Sequence, residues 1–248
     1  MQIDRAAKLL ENSHHAIILS GAGISTPSGI PDFRSTENGL WKKYNPFEVA
    51  SLSAFRVNPT RFFEWFRPLT KQILEAKPNE AHLAVSKLEA QGIIKAVITQ
   101  NIDILHQKAG SKNVLEVHGT LNSMTCVSCY TKYSSTQFLD EYINQGKIPH
   151  CPKCGGILKP DAILFEEQLP KNIWKLAESE IKKSDLMIVV GSSLEVVPVA
   201  NLPYQIVSTG GKLIIINKQP TYIDSRADAV LHQDVIDALP KLLEKLII

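Results

Sequence analysis

Five short runs of continuously apolar, strand-forming residues set the strongest limit on how this chain can fold. They are residues 16–20 (AIILS), 93–99 (IIKAVIT), 114–117 (VLEV), 185–190 (DLMIVV) and 212–217 (KLIIIN). A strand with one wet face alternates apolar and polar residues, so an unbroken apolar run implies cover on both faces. Helical segments fill the gaps. In 80–91 (EAHLAVSKLEAQ), Ala81, Val85 and Leu88 share one face, while Asn79 can cap the start and Gly92 the end. Val235, Leu239, Leu242, Leu243 and Leu246 recur at helical spacing near the C-terminus. Pro240 lacks an amide donor there and predicts a kink, or a helix restarting near Ala238. Strand–helix alternation of this kind predicts an α/β fold with a Rossmann-like, doubly wound parallel sheet.

Two stretches break the alternation. Residues 39–76 are rich in aromatics and read as helical from Pro59 onward, and residues 119–159 hold all four cysteines. Cys126 and Cys129 form one C-x-x-C and Cys151 and Cys154 a second, 21 residues later. Four soft thiolates complete a ligand set with no spare histidine or carboxylate in it and suit a closed tetrahedral zinc, structural rather than catalytic. The two stretches are expected to pack together as a smaller domain made of a zinc ribbon and a helical insertion.

Several classes are disfavoured. A net charge of +2, with only scattered lysines in the cysteine-rich segment, offers no footprint for nucleic acid. No apolar run approaches the roughly 20 residues of a membrane span. MQIDRAAKLLENS carries acids and reads as an amphipathic helix, not a signal peptide, so reduced cysteines and a cytoplasmic location are expected.

Gly21-Ala22-Gly23 follows the first apolar run, where glycines let backbone amides approach a pyrophosphate. Thr26 occupies the position of the third glycine in the dinucleotide fingerprint, and Pro27 and Pro31 prevent a long helix after the turn. A hydride-transfer dehydrogenase does not fit. The longer motifs do point to a family: Gly29-Ile30-Pro31-Asp32-Phe33-Arg34, Thr99-Gln100-Asn101-Ile102-Asp103, Glu116-Val117-His118-Gly119 and Gly191-Ser192-Ser193-Leu194. Together with the paired cysteines they resemble the sirtuins, NAD-dependent protein deacylases, from about Leu19 to Asn217.

The resemblance implies residues 1–38, 77–118 and 160–248 as the NAD-binding domain, with 39–76 and 119–159 as the smaller one. It implies a reaction in which the acyl oxygen of an acyl-lysine attacks the nicotinamide ribose, giving nicotinamide, free lysine and O-acyl-ADP-ribose. His118 is then the general base and Asn101 a catalytic partner that holds the ribose and a water. Asp103 positions the nicotinamide carboxamide, and Gln100 and Ile102 lie alongside. Gly21, Ala22, Gly23, Ile30, Asp32, Phe33 and Arg34 belong to the NAD loop. Gly191, Ser192 and Ser193 serve phosphate or ribose oxygens, Asn217 the adenosine ribose, and Asp234 and Val235 the adenine. The acyl-lysine protein or peptide is expected to enter as an added strand against Ile163, Leu164, Phe165, Glu166 and Val196.

The chain departs from the family pattern at Phe165-Glu166-Glu167, where Phe-Gly-Glu is usual. A left-handed backbone at Glu166 is expected to cost about 1–2 kcal/mol. The extra charge also suggests a preference for basic residues beside the target lysine. Phe66 and Leu69 stand where the desuccinylating branch carries tyrosine and arginine, so acetyl or apolar acyl groups are expected over succinyl. Two other readings remain open at this level: a protein mono-ADP-ribosyltransferase, and an NAD-sensing or zinc-ribbon interaction module without catalysis.

Overall fold

Burial on both faces explains the unbroken apolar runs. The computed structural model describes residues 2–32 and 40–246. Its strands are β1 (Ala16–Ser20), β2 (Ile94–Thr99), β3 (Val114–Glu116), β4 (Gly119–Cys126), β5 (Lys132–Ser134), β6 (Leu158–Ala162), β7 (Leu186–Val190), β8 (Lys212–Ile216) and β9 (Ala229–Leu231). Six form one parallel sheet in the order β3-β2-β1-β7-β8-β9. Ala16 and Ile18 of β1, with Ile214 and Ile216 of β8, face helices Gln2–Glu11, Glu80–Ala90 and Val235–Leu246. Their neighbours Ile17, Leu19, Leu213 and Ile215 face helices Lys171–Lys183 and Leu202–Ser208. Alternate side chains thus enter two different cores.

The register sets up the site. Ser20 pairs with Thr99 and with Val190, and Val190 pairs with Ile216, so these strands end level. The next residues, Gly21, Gln100, Gly191 and Asn217, therefore line one edge. Their amides bond to Val190 O, Ser20 O, Ile216 O and Leu231 O. Strand order reverses between β1 and β7, which opens a crevice beyond their carboxyl ends, the usual ligand position in an open α/β sheet.

A smaller antiparallel sheet, β5-β4-β6, carries the cysteines. Helices Pro46–Val49, Leu52–Val57 and Pro59–Glu75 build the aromatic insertion. Phe55, Phe62, Phe63 and Phe66 share a core with Leu121 and Ala162 of the small sheet, and with Tyr142. The Tyr142 hydroxyl donates to Phe63 O at 2.7 Å.

Val235–Leu246 is a single helix with Pro240 inside it, so the restart near Ala238 does not occur. One missing amide removes one i→i−4 bond, and burial of Leu239, Leu242 and Leu243 outweighs it. Strands β4, β5, β6 and β9 escaped the sequence reading. Three of them are short or contain Pro160, and β4 carries a register irregularity between Gly119 and Met124 that blurs its alternation. Among the described residues, no helix is long and apolar enough to cross a membrane.

Candidate active site

The first loop owes its glycines to close packing. A Cβ on Gly23 would lie 2.8 Å from the Cα and O of Gly191, and one on Gly21 would lie 2.9 Å from Gly191 O. The chain after β1 and the chain after β7 therefore touch through bare backbone, with Gly23 N donating to Gly191 O at 2.8 Å. The side chain of Ser192 is drawn into the same crevice, where its Oγ accepts from Gln100 Nε2 at 2.9 Å.

Residues 99–103 leave β2 as a polar turn that reaches back to the first loop. Asn101 Nδ2 donates to Gly21 O and to Ser25 Oγ, both at 3.1 Å, and its amide donates to Thr99 Oγ1. Asp103 is 4 % exposed. Its carboxyl accepts from Ser25 Oγ at 2.6 Å and from the Leu105 amide at 2.9 Å. Burial pushes its pKa up, opposed by the bond from Ser25. His118 follows β3, with Nδ1 at 3.2 Å from Gln100 O. A carbonyl can only accept, so Nδ1 carries a proton toward Gln100 O, and in the neutral form of the ring the basic lone pair lies on Nε2.

Beneath this layer lies a polar chain that the motifs did not announce. Ser20 Oγ donates to Thr99 Oγ1 and accepts from His106 Nε2, each at 2.9 Å. Burial lowers the His106 pKa to about 3, with His82 adding to the effect, and lowers His82 to about 4. Their rings meet edge to face at 5.0 Å. Both stay neutral and cannot compete as bases. Ser25 joins them to Asp103: its hydroxyl donates to the carboxylate and lies 3.5 Å from His82 Nε2. Position 25 in Gly-Ala-Gly-Ile-Ser was the available signal, and only the contacts reveal its role.

Asn101, Asp103 and His118 line one cavity of about 270 Å³ with Ala22 and Ile30. Ile163, Leu164, Phe165, Glu166 and Val196 line the same cavity. Phe62, Trp65, Phe66 and Leu69 complete it, so the aromatic insertion serves both as core and as cavity wall. Asp32 lies at the end of the described loop, whereas Phe33 and Arg34 lie outside the described residues. Asn217 sits on the aligned edge, with Nδ2 donating to Gln219 O at 2.7 Å. Asp234 pairs with Lys218 at 2.6 Å and accepts from the Ile236 amide, a helix-cap role. The Val235 side chain is buried in the core, which leaves only its main chain for a ligand.

Glu166 adopts φ +72°, the left-handed conformation expected to cost about 1–2 kcal/mol. The charge expected to face a peptide is already engaged. Glu166 accepts from the Ser53 amide at 2.9 Å and the Ser53 hydroxyl at 3.0 Å, and Glu167 pairs with Lys159 at 3.0 Å.

The four cysteine sulfurs all lie within 4.8 Å of one another. Cys126 and Cys154 sulfurs are 3.4 Å apart and those of Cys129 and Cys151 3.6 Å. Zn–S bonds of about 2.3 Å in a tetrahedron require sulfurs slightly under 4 Å apart. Amides of Ser128 and Cys129 point at Cys126 Sγ, as a thiolate in a knuckle turn requires. The residues fit one structural zinc.

Comparison with known proteins agrees with this geometry. The Sir2 family model matches residues 21–198. NAD-dependent protein deacylase 2 of Archaeoglobus fulgidus is 47% identical over 245 residues, covering 98% of this chain and 96% of that protein. The NAD-dependent protein deacetylase of Saccharolobus solfataricus is 48% identical over 244 residues, covering 98% and 97%. Among solved structures, one described under the mechanism and regulation of Sir2 enzymes superposes with a TM-score of 0.93 at 46% identity, covering 99% of this chain and 97% of its own. A Sir2 complex with a p53 peptide and NAD+ gives a TM-score of 0.89 at 39% identity, covering 98% of each chain.

Proposed function

The chain belongs to the Sir2 family, and from that premise we propose how its residues remove acyl groups from lysine side chains at the expense of NAD. It is an NAD-dependent protein-lysine deacylase. The acyl oxygen attacks the nicotinamide ribose, and the products are nicotinamide, free lysine and O-acyl-ADP-ribose. NAD is a consumed substrate, which accounts for a glycine loop built on contact with Gly191 instead of the full dinucleotide fingerprint.

The observation that carries this reading is one cavity lined by both polar and apolar side chains. Asn101, Asp103 and His118 supply polar groups, and Ile163, Phe165, Phe66 and Val196 apolar ones. We assign His118 as the base that takes a proton from the ribose hydroxyls through Nε2, because Nδ1 is committed to Gln100 O. Asn101 orients the ribose from its seat on Gly21 and Ser25. Asp103 receives the carboxamide, and its buried carboxyl suits a hydrogen-bonding group better than a free anion. Ala22, Ile30, Asp32, Phe33 and Arg34 enclose the nicotinamide end. Ser192, Ser193 and Asn217 take the ribose and phosphate oxygens along the sheet edge, and the chain at Asp234 and Val235 lies by the adenine.

On this reading, residues 1–38, 77–118 and 160–248 form the nucleotide-binding domain, and 39–76 with 119–159 the smaller one. The acyl-lysine peptide adds as a strand beside residues 163–167. Support comes from the bonding tally there: Ile163, Leu164 and Phe165 amides are all engaged internally, to His118 O, Glu167 Oε2 and Ala50 O. Among the described residues, no backbone bond engages the Ile163 carbonyl or the Glu166 main chain, and these pair with the peptide. The apolar wall, with Phe66 and Leu69 in it, favours acetyl and other uncharged acyl groups. Replacing His118 by Ala tests the assignment. Turnover of an acetyl-lysine peptide is expected to fall at least about a hundredfold with NAD binding retained; unimpaired turnover would remove His118 from the chemistry.

A further inference from the structure

The segment from Ile163 to Glu167 borders the cavity but belongs to no strand of either sheet. Beyond the bond from the Ile163 amide to His118 O and the Glu167–Lys159 pair, it is held by the aromatic insertion. Phe165 N donates to Ala50 O at 2.9 Å, and the Leu52 amide donates to Phe165 O at 3.0 Å. One residue on, Glu166 turns into the left-handed region at φ +72° while sending its carboxylate to both the amide and the hydroxyl of Ser53. Two charge-assisted bonds converge on one side chain at the residue whose backbone is most strained in this segment.

We propose that Glu166 is a positioning residue for the acyl-lysine substrate. Its carboxylate, latched onto Ser53, holds the left-handed turn and thereby sets the Ile163 carbonyl and the Glu166 main chain in the geometry an added peptide strand needs. This rests on the deacylase reading above. The latch joins substrate-binding chain to insertion, not to the NAD crevice, so its effect falls on peptide binding. Among the described residues, no hydrogen bond joins it to Gln100, Ser192 or the loop at Gly23.

The test compares wild type, Glu166→Gly and Glu166→Gln in the full chain. Glycine removes the latch but accepts the left-handed backbone freely, so the variant folds and reports the latch alone. Glutamine keeps an acceptor for Ser53. For Glu166→Gly, the KM for an acetyl-lysine peptide is expected to rise about three- to tenfold, with the KM for NAD and kcat changed less than about twofold. Glu166→Gln is expected to recover most of that loss. Hydrogen exchange of segments 50–56 and 163–167 is expected to quicken in Glu166→Gly alone. A Glu166→Gly enzyme with unchanged peptide KM and unchanged exchange overturns the proposal. So does a Glu166→Gln enzyme as impaired as Glu166→Gly, which would mean that charge acts and not the latch. If wild type fails to deacylate any peptide, the deacylase reading falls by itself, and the exchange measurement alone decides the latch.

Discussion

At the scale of single residues, the site separates one histidine that can act from two that cannot. His118 sits at the cavity with its Nδ1 hydrogen engaged, whereas His82 and His106 are buried with pKa values lowered to about 4 and about 3. The sign of the resulting pH effect follows directly. An unfolded histidine takes up its proton near pH ~6.5, so between that value and the lowered folded values the unfolded state binds more protons. Stability from these rings is complete above pH ~6.5 and is lost as the pH falls toward 4. Asp103 and Glu116, raised by burial, act in the opposite sense, so the contribution is best isolated by difference. The gap in unfolding free energy between wild type and His106→Gln is expected to narrow below pH ~6.5, by up to about 1.4 kcal/mol per pH unit. Denaturant titrations at pH 7.5, 6 and 5 measure it, and a constant gap would mean that His106 is protonated when folded. None of this was legible in the sequence. The motifs singled out His118, but burial of His82 and His106 is a property of three dimensions, and Ser25 gains its role only by contact with Asp103 and Asn101.

At the scale of elements, the zinc knuckles and the aromatic helix do different work. Cys126 and Cys129 close the end of β4, while Cys151 and Cys154 precede β6, so the metal ties the central strand to an edge strand in a sheet with little apolar core of its own. Stripping zinc with a chelator is expected to speed amide exchange in 119–162 while β1, β2, β7 and β8 stay protected. Uniform protection throughout would assign the small sheet's stability to packing. Helix Pro59–Glu75 instead shapes the cavity through Phe62, Phe66 and Leu69. Acetyl-lysine and propionyl-lysine peptides are expected to exceed a succinyl-lysine peptide in kcat/KM by at least about tenfold, because among the described residues no lysine or arginine lines the cavity to offset burial of a carboxylate. A dominant desuccinylase activity would contradict that wall's role. The elements themselves were unevenly legible. Apolar runs and the Asn79 cap marked five of the six parallel strands and helix Glu80–Ala90 almost to the residue. The small sheet was hidden because its strands are short, half-exposed and interrupted by Gly119 and Pro160.

For the whole molecule, function follows from level strand ends. Register brings Gly21, Gln100, Gly191 and Asn217 to one edge, and the reversal of strand order opens the crevice between them. A parallel sheet with this crevice was readable from apolar periodicity, and the bonding of zinc from cysteine spacing alone. The identity of the reaction was not: two glycines leave many nucleotide enzymes open, and only the ordered motifs and the shared cavity of Asn101, Asp103 and His118 narrow them to one. The account therefore stands or falls on the fate of the acyl group. Incubation of the enzyme with NAD and an acetyl-lysine peptide, followed by mass analysis, is expected to yield unmodified lysine peptide, nicotinamide and acetyl-ADP-ribose in equal amounts. Release of free acetate without the acetylated nucleotide, or a peptide carrying ADP-ribose, would contradict it.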